Sequence, residues 1–213
     1  MIKIQPYIGE NYDKFKILLI GESHYINKNL DEKLFKDWYD PAYHIQFPEH
    51  ISNQFNTTYQ VNQFLNKKTS KLYAIYRFPA QCLGKVFGIP YKEAFTYTLF
   101  YNYFQRPNLQ KGSFKTIFSD NREDIFAAEN LLTILLATWP NLVFFLSKKA
   151  YQSYMTYATY ARRNAFNVHC LVHPASAWWF KEDGKYGNKK MEKILKDFFK
   201  INCNDFLIKI QGL

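Results

Sequence analysis

Short apolar stretches recur along the chain, and polar or turn-forming residues follow each of them. Apolar runs cover residues 16–20, 142–146 and 167–172, and an aromatic-rich stretch covers residues 99–103. Runs that are apolar at nearly every position are typical of strands that a sheet buries on both faces. The pattern therefore predicts four strands, most of them parallel to one another.

Between these stretches, apolar residues recur at helical spacing. Residues 29–39 show this spacing, whereas residues 40–58, rich in His, Pro and Asn, predict an irregular loop. The spacing returns over residues 59–87, where breaks near residues 67–70 and at Pro79 predict two or three short helices. Further helices are predicted over about residues 121–138 with Asp120 as N-cap, over about residues 148–160 with Ser147 as N-cap, and over residues 189–199.

Strands that alternate with amphipathic helices predict the fold class. The expectation is an α/β protein, a three-layer α/β/α sandwich with a mostly parallel four-stranded central sheet. A length of 213 residues suits one domain with a substantial core, so residues 1–213 are expected to form a single domain.

The charge balance suggests a partner. The chain has 28 Lys and Arg against 18 Asp and Glu, a formal net charge of +10. Such an excess favours contact with polyanions, because bound Lys and Arg release counterions from phosphates. DNA, single- or double-stranded, is the expected partner, although a basic surface without any patch would give the same total. The aromatic share of 19% would mainly fill the core and could also stack on bases.

Cysteine spacing and hydropathy indicate the compartment. Cys82, Cys170 and Cys203 lie far apart, a pattern that argues against a zinc ribbon, an iron–sulfur cluster or a disulfide framework. The first residues lack the apolar region of a signal peptide, and no apolar stretch reaches the length of about 18 residues that a membrane span needs. We therefore expect a cytoplasmic protein that does not associate with membranes.

Two polar signatures follow the first and the last apolar run. Gly-Glu-Ser-His-Tyr occupies residues 21–25, and His-Pro-Ala-Ser occupies residues 173–176. Open α/β sheets place their ligands at the carboxyl ends of the strands, so the two signatures are expected to converge on one site. Together they supply a carboxylate, a phenol and an imidazole, which could stabilise separated charge in a reaction.

With Asn102 between them, near the end of a predicted strand, the signatures resemble those of the uracil-DNA glycosylase superfamily. Residues 100–103 and 140–149 are also similar to that superfamily's middle region, and the resemblance covers about residues 16–178. It implies a hydrolase of DNA glycosylase type, which flips a damaged or deaminated base and breaks its N-glycosidic bond without a cofactor or a metal ion. We expect a monomer.

The resemblance also implies roles for single residues. His173 would donate a hydrogen bond to the oxyanion that develops on the departing base. Asn102 would read the imide edge of the base, because its amide group both donates and accepts. Tyr25 would crowd the pyrimidine 5-position and exclude the methyl group of thymine.

Several positions depart from the superfamily's pattern. Ser23 stands where Asp or Asn is common and could hold a water, whereas Glu22 resembles the acidic variant of some branches and could supply the charge. His24 replaces a Pro, and Ala175 replaces a Ser, with Ser176 displaced by one position. The candidate catalytic residues are His173, Glu22 and Ser23, and the candidate substrate-binding residues are Gly21, His24, Tyr25, Asn102 and Ser176.

The segment after the second signature contains candidate DNA contacts. Trp178 could act as an aromatic wedge that takes the place of the flipped base, and Lys185 and Lys189 could contact phosphates. Burial of the aromatic segment 178–180 against the last helix, and lysines that are merely solvated, are the alternatives.

Other interpretations remain open. A member of the same fold could bind nucleic acid or a nucleotide without excision, and a small-molecule hydrolase could act on nucleoside-like compounds. The first signature lacks the closing Gly of a nucleophile elbow, which argues against a serine hydrolase. His169 and His173 would lie about 13 Å apart along a strand, too far to share a metal ion.

Overall fold

The computed structural model describes residues 3–26, 30, 32–40, 42–43, 46–66, 73–108, 114–159, 164–182 and 185–210. Its strands are β1 (Tyr7–Ile8), β2 (Ile17–Gly21), β3 (Thr98–Asn102), β4 (Leu142–Phe145) and β5 (Val168–Cys170). They form one sheet in the order β1-β3-β2-β4-β5, in which β1 runs antiparallel to β3 and all other pairs are parallel.

The four predicted strands are all present, and the α/β class with a mostly parallel sheet is confirmed. The sheet has five strands rather than the predicted four, because β1 adds an antiparallel pair at the outer side of β3. This strand contains only two residues, which is too short to give a hydrophobic pattern in the sequence.

Eight α-helices surround the sheet within the described ranges, and none of them combines the length and apolar character needed to cross a bilayer. The same ranges also contain the 3-10 turns Glu32–Phe35 and Ala177–Phe180. The helices are α1 (Tyr12–Phe15), α2 (Glu49–Ser52), α3 (Thr57–Asn66), α4 (Ala74–Phe87), α5 (Tyr91–Phe95), α6 (Arg122–Thr138), α7 (Lys148–Tyr157) and α8 (Asn188–Ile210).

The sheet is the middle layer of three because alternate strand residues pack on opposite sides. Ile17 and Leu19 of β2 belong to a core cluster with residues of α3, α4 and α8. Leu18 and Ile20 belong to a second cluster with residues of α6 and α7. All five residues of β2 are buried. The three-layer arrangement thus explains why the predicted strands are apolar without alternation.

Helix α4 corrects the prediction of a break at Pro79. The helix continues through this proline, which is the sixth residue of α4 and is buried. A proline there removes one hydrogen bond to the carbonyl of Ile75 and costs about 3 kcal/mol in an isolated helix. Burial of residues such as Tyr76 and Leu83 in the first core cluster offsets that cost.

Other element boundaries also differ from the predictions. The predicted helix over residues 29–39 is represented by the 3-10 turn Glu32–Phe35, and the predicted loop over residues 40–58 contains the short helix α2. The N-cap of α6 is Asn121 rather than Asp120, whose carboxylate instead pairs with the side chain of Arg122 (2.8 Å). The predicted break over residues 67–70 lies outside the described residues.

Candidate active site

A cavity of about 540 Å³ opens at the carboxyl end of the sheet, where the sequence predicts a ligand site. We call it the main cavity. Its lining includes residues 73–76, at the start of α4, together with Gln54 and Gln60. The predicted site residues that line it are Glu22, Ser23, His24, Tyr25, Asn102 and His173. The two signatures therefore converge with Asn102, as the sequence predicts.

Backbone hydrogen bonds fix the loop that carries the first signature. This loop runs beside the one that follows β3, and the N–H of Phe104 donates to the carbonyl of Glu22 (2.9 Å). The N–H of Asn108 donates to the carbonyl of His24 (2.7 Å), while the carbonyl of Asn108 accepts from the N–H of Ile26 (3.0 Å). These bonds extend the pairing of β2 and β3 beyond the strand ends and hold the site residues in register.

Asn102 ends β3 directly beside Gly21, its partner in the sheet register. A Cβ atom at position 21 would lie 2.3 Å from Oδ1 of Asn102, so glycine is required for the carboxamide to occupy this place. Gly21 therefore leaves room for the amide group of Asn102 and does not itself line the main cavity.

His24 is buried beside Asn102. Its Nε2 lies 3.0 Å from Nδ2 of Asn102 and 2.9 Å from Oγ1 of Thr57, the first residue of α3. Burial lowers the pKa of His24 from 6.5 to about 3, so the ring is neutral near pH 7. The amide of Asn102 is thus held by a neutral imidazole.

The carboxylate of Glu22 lies between hydrogen-bond donors. The hydroxyl of Ser147 donates to Oε2, the backbone N–H of Phe114 donates to Oε1, and the hydroxyl of Tyr25 donates to Oε1 at 3.3 Å. The side chain is buried yet faces the main cavity, which is the orientation that its predicted role requires. Burial, followed by the nearby charge of Glu22, raises the pKa of Tyr25, so the phenol keeps its proton.

His173 follows β5 and faces the main cavity. The backbone N–H of Ala175 donates to its Nδ1 (3.1 Å), so a neutral ring carries its proton on Nε2. Burial lowers the pKa of His173, and the charge of Glu22 partly opposes this shift. Near neutral pH the residue is therefore an uncharged N–H donor.

Ser23 lines the main cavity, but its hydroxyl is directed at the backbone. Its Oγ lies 3.1 Å from each of two carbonyl oxygens, those of His24 and Arg106. Arg106 is fully buried and pairs with Glu123 of α6 at 2.5 Å. The serine thus joins the loop to a buried ion pair, and its catalytic role stays a prediction.

A second cavity of about 780 Å³, the side cavity, adjoins the first. Glu22, Tyr25, His173 and Ala175 line both and form the wall between them. The side cavity's remaining residues are Ser147, Lys148, Lys149, Gln152, Val172 and Ser176. Ser176 therefore lies on the far side of His173 from Asn102, where its hydroxyl caps the 3-10 turn by accepting from the N–H of Trp178 (3.2 Å).

The predicted DNA contacts lie on the surface after the second signature. Trp178 is 53% exposed, and its ring contacts Tyr186 edge-on at 5.7 Å, so this ring is not buried against the last helix. The alternative of burial holds for the neighbouring Trp179, which belongs to the core cluster that contains residues of α8. Lys185 and Lys189 are exposed, as phosphate contacts must be.

Several residues at the site were missed from sequence, among them Thr57, Ser147 and Lys148. Thr57 and Ser147 reach it from helix N-termini more than 30 residues from their partners. Lys148 lines the side cavity at the start of α7. The prediction of Ser147 as an N-cap is confirmed, since its Oγ accepts from the N–H of Ala150 (3.3 Å). That capping position after β4 was a usable signal, because it places the first turn of α7 at the same edge of the sheet.

No protein-family model matches the chain, and no curated protein matches it at a significant level. Among the described residues, no group of three His, Cys, Asp or Glu side chains is arranged to hold a metal ion. The resemblance to the uracil-DNA glycosylase superfamily therefore rests on the residues of the main cavity and on their order along the chain.

Proposed function

We propose that this protein is a DNA glycosylase that flips a damaged or deaminated base of the uracil type into the main cavity and hydrolyses its N-glycosidic bond. One observation carries the proposal: Glu22, Tyr25, Asn102 and His173, which are remote in sequence, line the same cavity at the carboxyl end of the sheet. We also propose that it acts in the cytoplasm, as a monomer.

The base is held by groups that match the imide edge and oxygen atoms of uracil. The carboxamide of Asn102 offers a donor and an acceptor to that edge. His173 offers its Nε2–H to a carbonyl oxygen that becomes negative as the glycosidic bond breaks. Because the imidazole is neutral before the reaction, it stabilises the anion through a hydrogen bond without first giving up a proton.

The sugar becomes positively charged as the base leaves, so a negatively charged group is needed near it. Loss of the base with the bonding electron pair leaves positive charge at C1′, and water then forms the new C1′–O bond. The carboxylate of Glu22 faces both cavities and would stabilise that cation electrostatically. The water releases one proton, the base anion takes one up, and the products are a free base and an abasic sugar.

The DNA strand would pass the side cavity. Lys148 at its rim and the exposed Lys185 and Lys189 would neutralise phosphates. Trp178, exposed beside the 3-10 turn, would enter the space that the base vacates.

Excision by the purified protein tests this proposal. Single- and double-stranded oligonucleotides that carry uracil, hypoxanthine or xanthine are incubated with the protein, and abasic sites are cleaved with alkali. We expect cleavage at one or more of these bases, lowered about 100-fold to 1000-fold by His173→Ala and by Asn102→Ala. His50→Ala removes an exposed histidine outside both cavities and serves as the control. Equal rates in all variants would refute the site.

A protein that binds DNA or a nucleotide without excision is the second candidate. It is favoured by Ser23, whose hydroxyl contacts backbone carbonyls and brings no charge to the position where the superfamily often has an acid. Salt-sensitive oligonucleotide binding without abasic products would support this candidate over the first.

A further inference from the structure

Besides Tyr25, two donors from distant parts of the chain hold the carboxylate of Glu22. The hydroxyl of Ser147 donates to Oε2, and the backbone N–H of Phe114 donates to Oε1. All three of these residues, Glu22, Ser147 and Phe114, are buried. Each oxygen of the carboxylate therefore has its own buried donor, and the two donors together fix the plane of the group.

The helix cap determines where the hydroxyl proton of Ser147 lies. The backbone N–H of Ala150 can only donate, so Oγ of Ser147 accepts from it (3.3 Å). A hydroxyl has a single proton, and an ionised carboxylate can only accept, so that proton is directed at Oε2 of Glu22. One side chain thus caps α7 and holds the carboxylate.

Lys149, in the first turn of α7, holds the second donor in place. Its Nζ donates to the backbone carbonyl of Phe114, the residue whose N–H binds Glu22. The same Nζ lies 5.4 Å from the ring centroid of Phe114 and 5.8 Å from that of Phe104, and these two rings stack at 4.1 Å. The start of α7 therefore reaches both carboxylate oxygens, one through Ser147 and the other through Phe114.

The position of this charge matters for the proposed reaction. A fixed charge stabilises a developing cation without having to reorient during the reaction, and its effect decreases with distance. Glu22 lies in the wall between the two cavities, and its side chain has three rotatable bonds. Without its donors, the carboxylate could turn away from the sugar carbon.

We propose that Ser147 and Lys149 are positioning residues, and that the start of α7 fixes the carboxylate of Glu22 at the wall between the cavities, where the sugar cation would form. This inference rests on the proposed function and adds two residues to it. A serine that served only as a helix cap would need no carboxylate partner. A lysine that served only as a phosphate contact would need no bond to the backbone of Phe114.

Replacement of Ser147 by two side chains of the same shape separates the cap from the carboxylate contact. Asn and Asp both cap helices well, but only Asn can donate a hydrogen bond to Glu22. For excision of uracil from a single-stranded oligonucleotide, we expect Ser147→Asp to lower kcat about 100-fold and Ser147→Asn to retain most of it. Thr156→Ala removes an exposed hydroxyl from the last turn of the same helix and is the control.

Replacement of Lys149 separates positioning from phosphate binding. Lys149→Met keeps the length of the side chain and removes its charge, and it should lower kcat about 10-fold while KM changes little. Lys149→Arg should restore kcat. The control is Lys14→Met, which removes a lysine that also lies over an aromatic ring, that of Tyr97 at 5.7 Å.

A double-variant cycle gives a readout that a merely structural serine would not move. Ser147→Ala should lower kcat about 10-fold in the wild type and have little further effect in Glu22→Gln, because glutamine has no charge to hold in place. Chemical unfolding of the same four proteins should likewise show losses that do not add, and this readout does not depend on activity. If Ser147→Asp does not fold, this cycle and Lys149→Met decide the question.

The possible failures can be told apart. Equal kcat in Ser147→Asp and Ser147→Asn, or losses of Ser147→Ala and Glu22→Gln that simply add, overturn the role of Ser147 and leave the proposed function in place. A raised KM with unchanged kcat in Lys149→Met overturns the role of Lys149 and assigns it to phosphate binding. A wild-type protein that excises no base overturns the proposed function and this inference together.

Discussion

At the scale of single residues, the buried ring of His24 makes the free energy of unfolding depend on pH. Its pKa of about 3 in the folded protein lies below the value of 6.5 that an unfolded chain gives. Between these values the unfolded chain binds a proton that the folded protein does not, so the free energy of unfolding decreases as the pH falls from 6.5 towards 3.

We therefore predict that His24→Leu has a flatter pH dependence of stability than the wild type. One pKa unit corresponds to about 1.4 kcal/mol, so the wild type should lose up to about 5 kcal/mol more than the variant between pH 6.5 and pH 3. Urea unfolding at a series of pH values measures the difference. Parallel curves for the two proteins would contradict a buried neutral imidazole at this position.

The neighbouring charge of Glu22 should be visible in the pH profile of His173. Burial lowers the pKa of His173, and Glu22 raises it in part. Excision that needs the neutral ring should fall only below pH 6.5, and Glu22→Gln should move this acid limb to still lower pH while it also lowers the rate. The profile of kcat/KM against pH measures both effects. An acid limb that moves upward in Glu22→Gln would contradict the assigned sign.

The ring and the hydroxyl of Tyr25 should have separable effects. Its ring lines both cavities, whereas its hydroxyl contacts Glu22 at 3.3 Å. Tyr25→Ala should admit thymine by opening space for the 5-methyl group, and Tyr25→Phe should keep thymine excluded with a smaller change in uracil excision. Competition between oligonucleotides with uracil or thymine checks this. Equal thymine excision by both variants would mean that the ring is not the steric filter.

The sequence predicts these residues unequally well. Glu22 and Tyr25 could be found because they follow the buried strand β2, and His173 because it follows β5, which is half-buried. The carboxyl ends of parallel strands in one sheet meet at one edge. Thr57 could not be found in this way, since it begins a helix in a segment predicted to be a loop. Its contact with His24 depends on how α3 packs against the sheet, and this packing has no local signal.

At the scale of elements, one buried ion pair ties the loop after β3 to α6. Arg106 pairs with Glu123 at 2.5 Å, and the hydroxyl of Tyr39 contacts the same carboxylate at 3.3 Å. The backbone carbonyl of Arg106 also accepts from Ser23, so the pair supports the loop of the first signature.

We predict that removal of one partner destabilises the protein more than removal of both. Arg106→Met should lower the free energy of unfolding by about 3–5 kcal/mol, because it leaves the buried charge of Glu123 uncompensated. The double variant Arg106→Met/Glu123→Leu should recover part of this loss. Chemical unfolding of both single variants and the double variant gives the coupling energy. If the two single losses simply add, the pair makes no such contribution.

Element type was predictable where burial is uniform and was not where tertiary packing overrides local preference. Strand β2 is buried on both faces and could be predicted from its apolar residues alone. Helix α4 continues through Pro79 because its buried face outweighs the missing backbone hydrogen bond. Helix propensity alone cannot predict that the gain from burial exceeds the cost of Pro79, because the gain depends on the sheet against which the helix packs.

At the scale of the whole molecule, the net charge of +10 would favour the proposed contact with DNA. If Lys148, Lys185 and Lys189 contact phosphates, their removal should weaken DNA binding and reduce its dependence on salt.

We predict that the triple change of these lysines to Gln lowers the slope of log affinity against log salt concentration by about 0.7 for each phosphate of single-stranded DNA that is no longer neutralised. Fluorescence anisotropy with a labelled oligonucleotide at several salt concentrations measures the slope. Lys14→Gln is the control, because α1 precedes β2 and therefore lies at the opposite end of the sheet. A slope that falls equally in the control would indicate diffuse attraction without a defined path for the strand.

The two-residue strand β1 affects whether the edge of the sheet can pair with a second copy of the protein. It occupies the outer side of β3, where Tyr7 pairs with Phe100 and Ile8 with Leu99. Proteolytic removal of β1 would expose the edge of the hydrophobic strand β3 and leave its backbone N–H and C=O groups there without partners. A strand of another copy could then pair with that edge. Strand β1 thus covers part of the outer edge of β3 and leaves fewer of its amide groups open to pairing with a second copy.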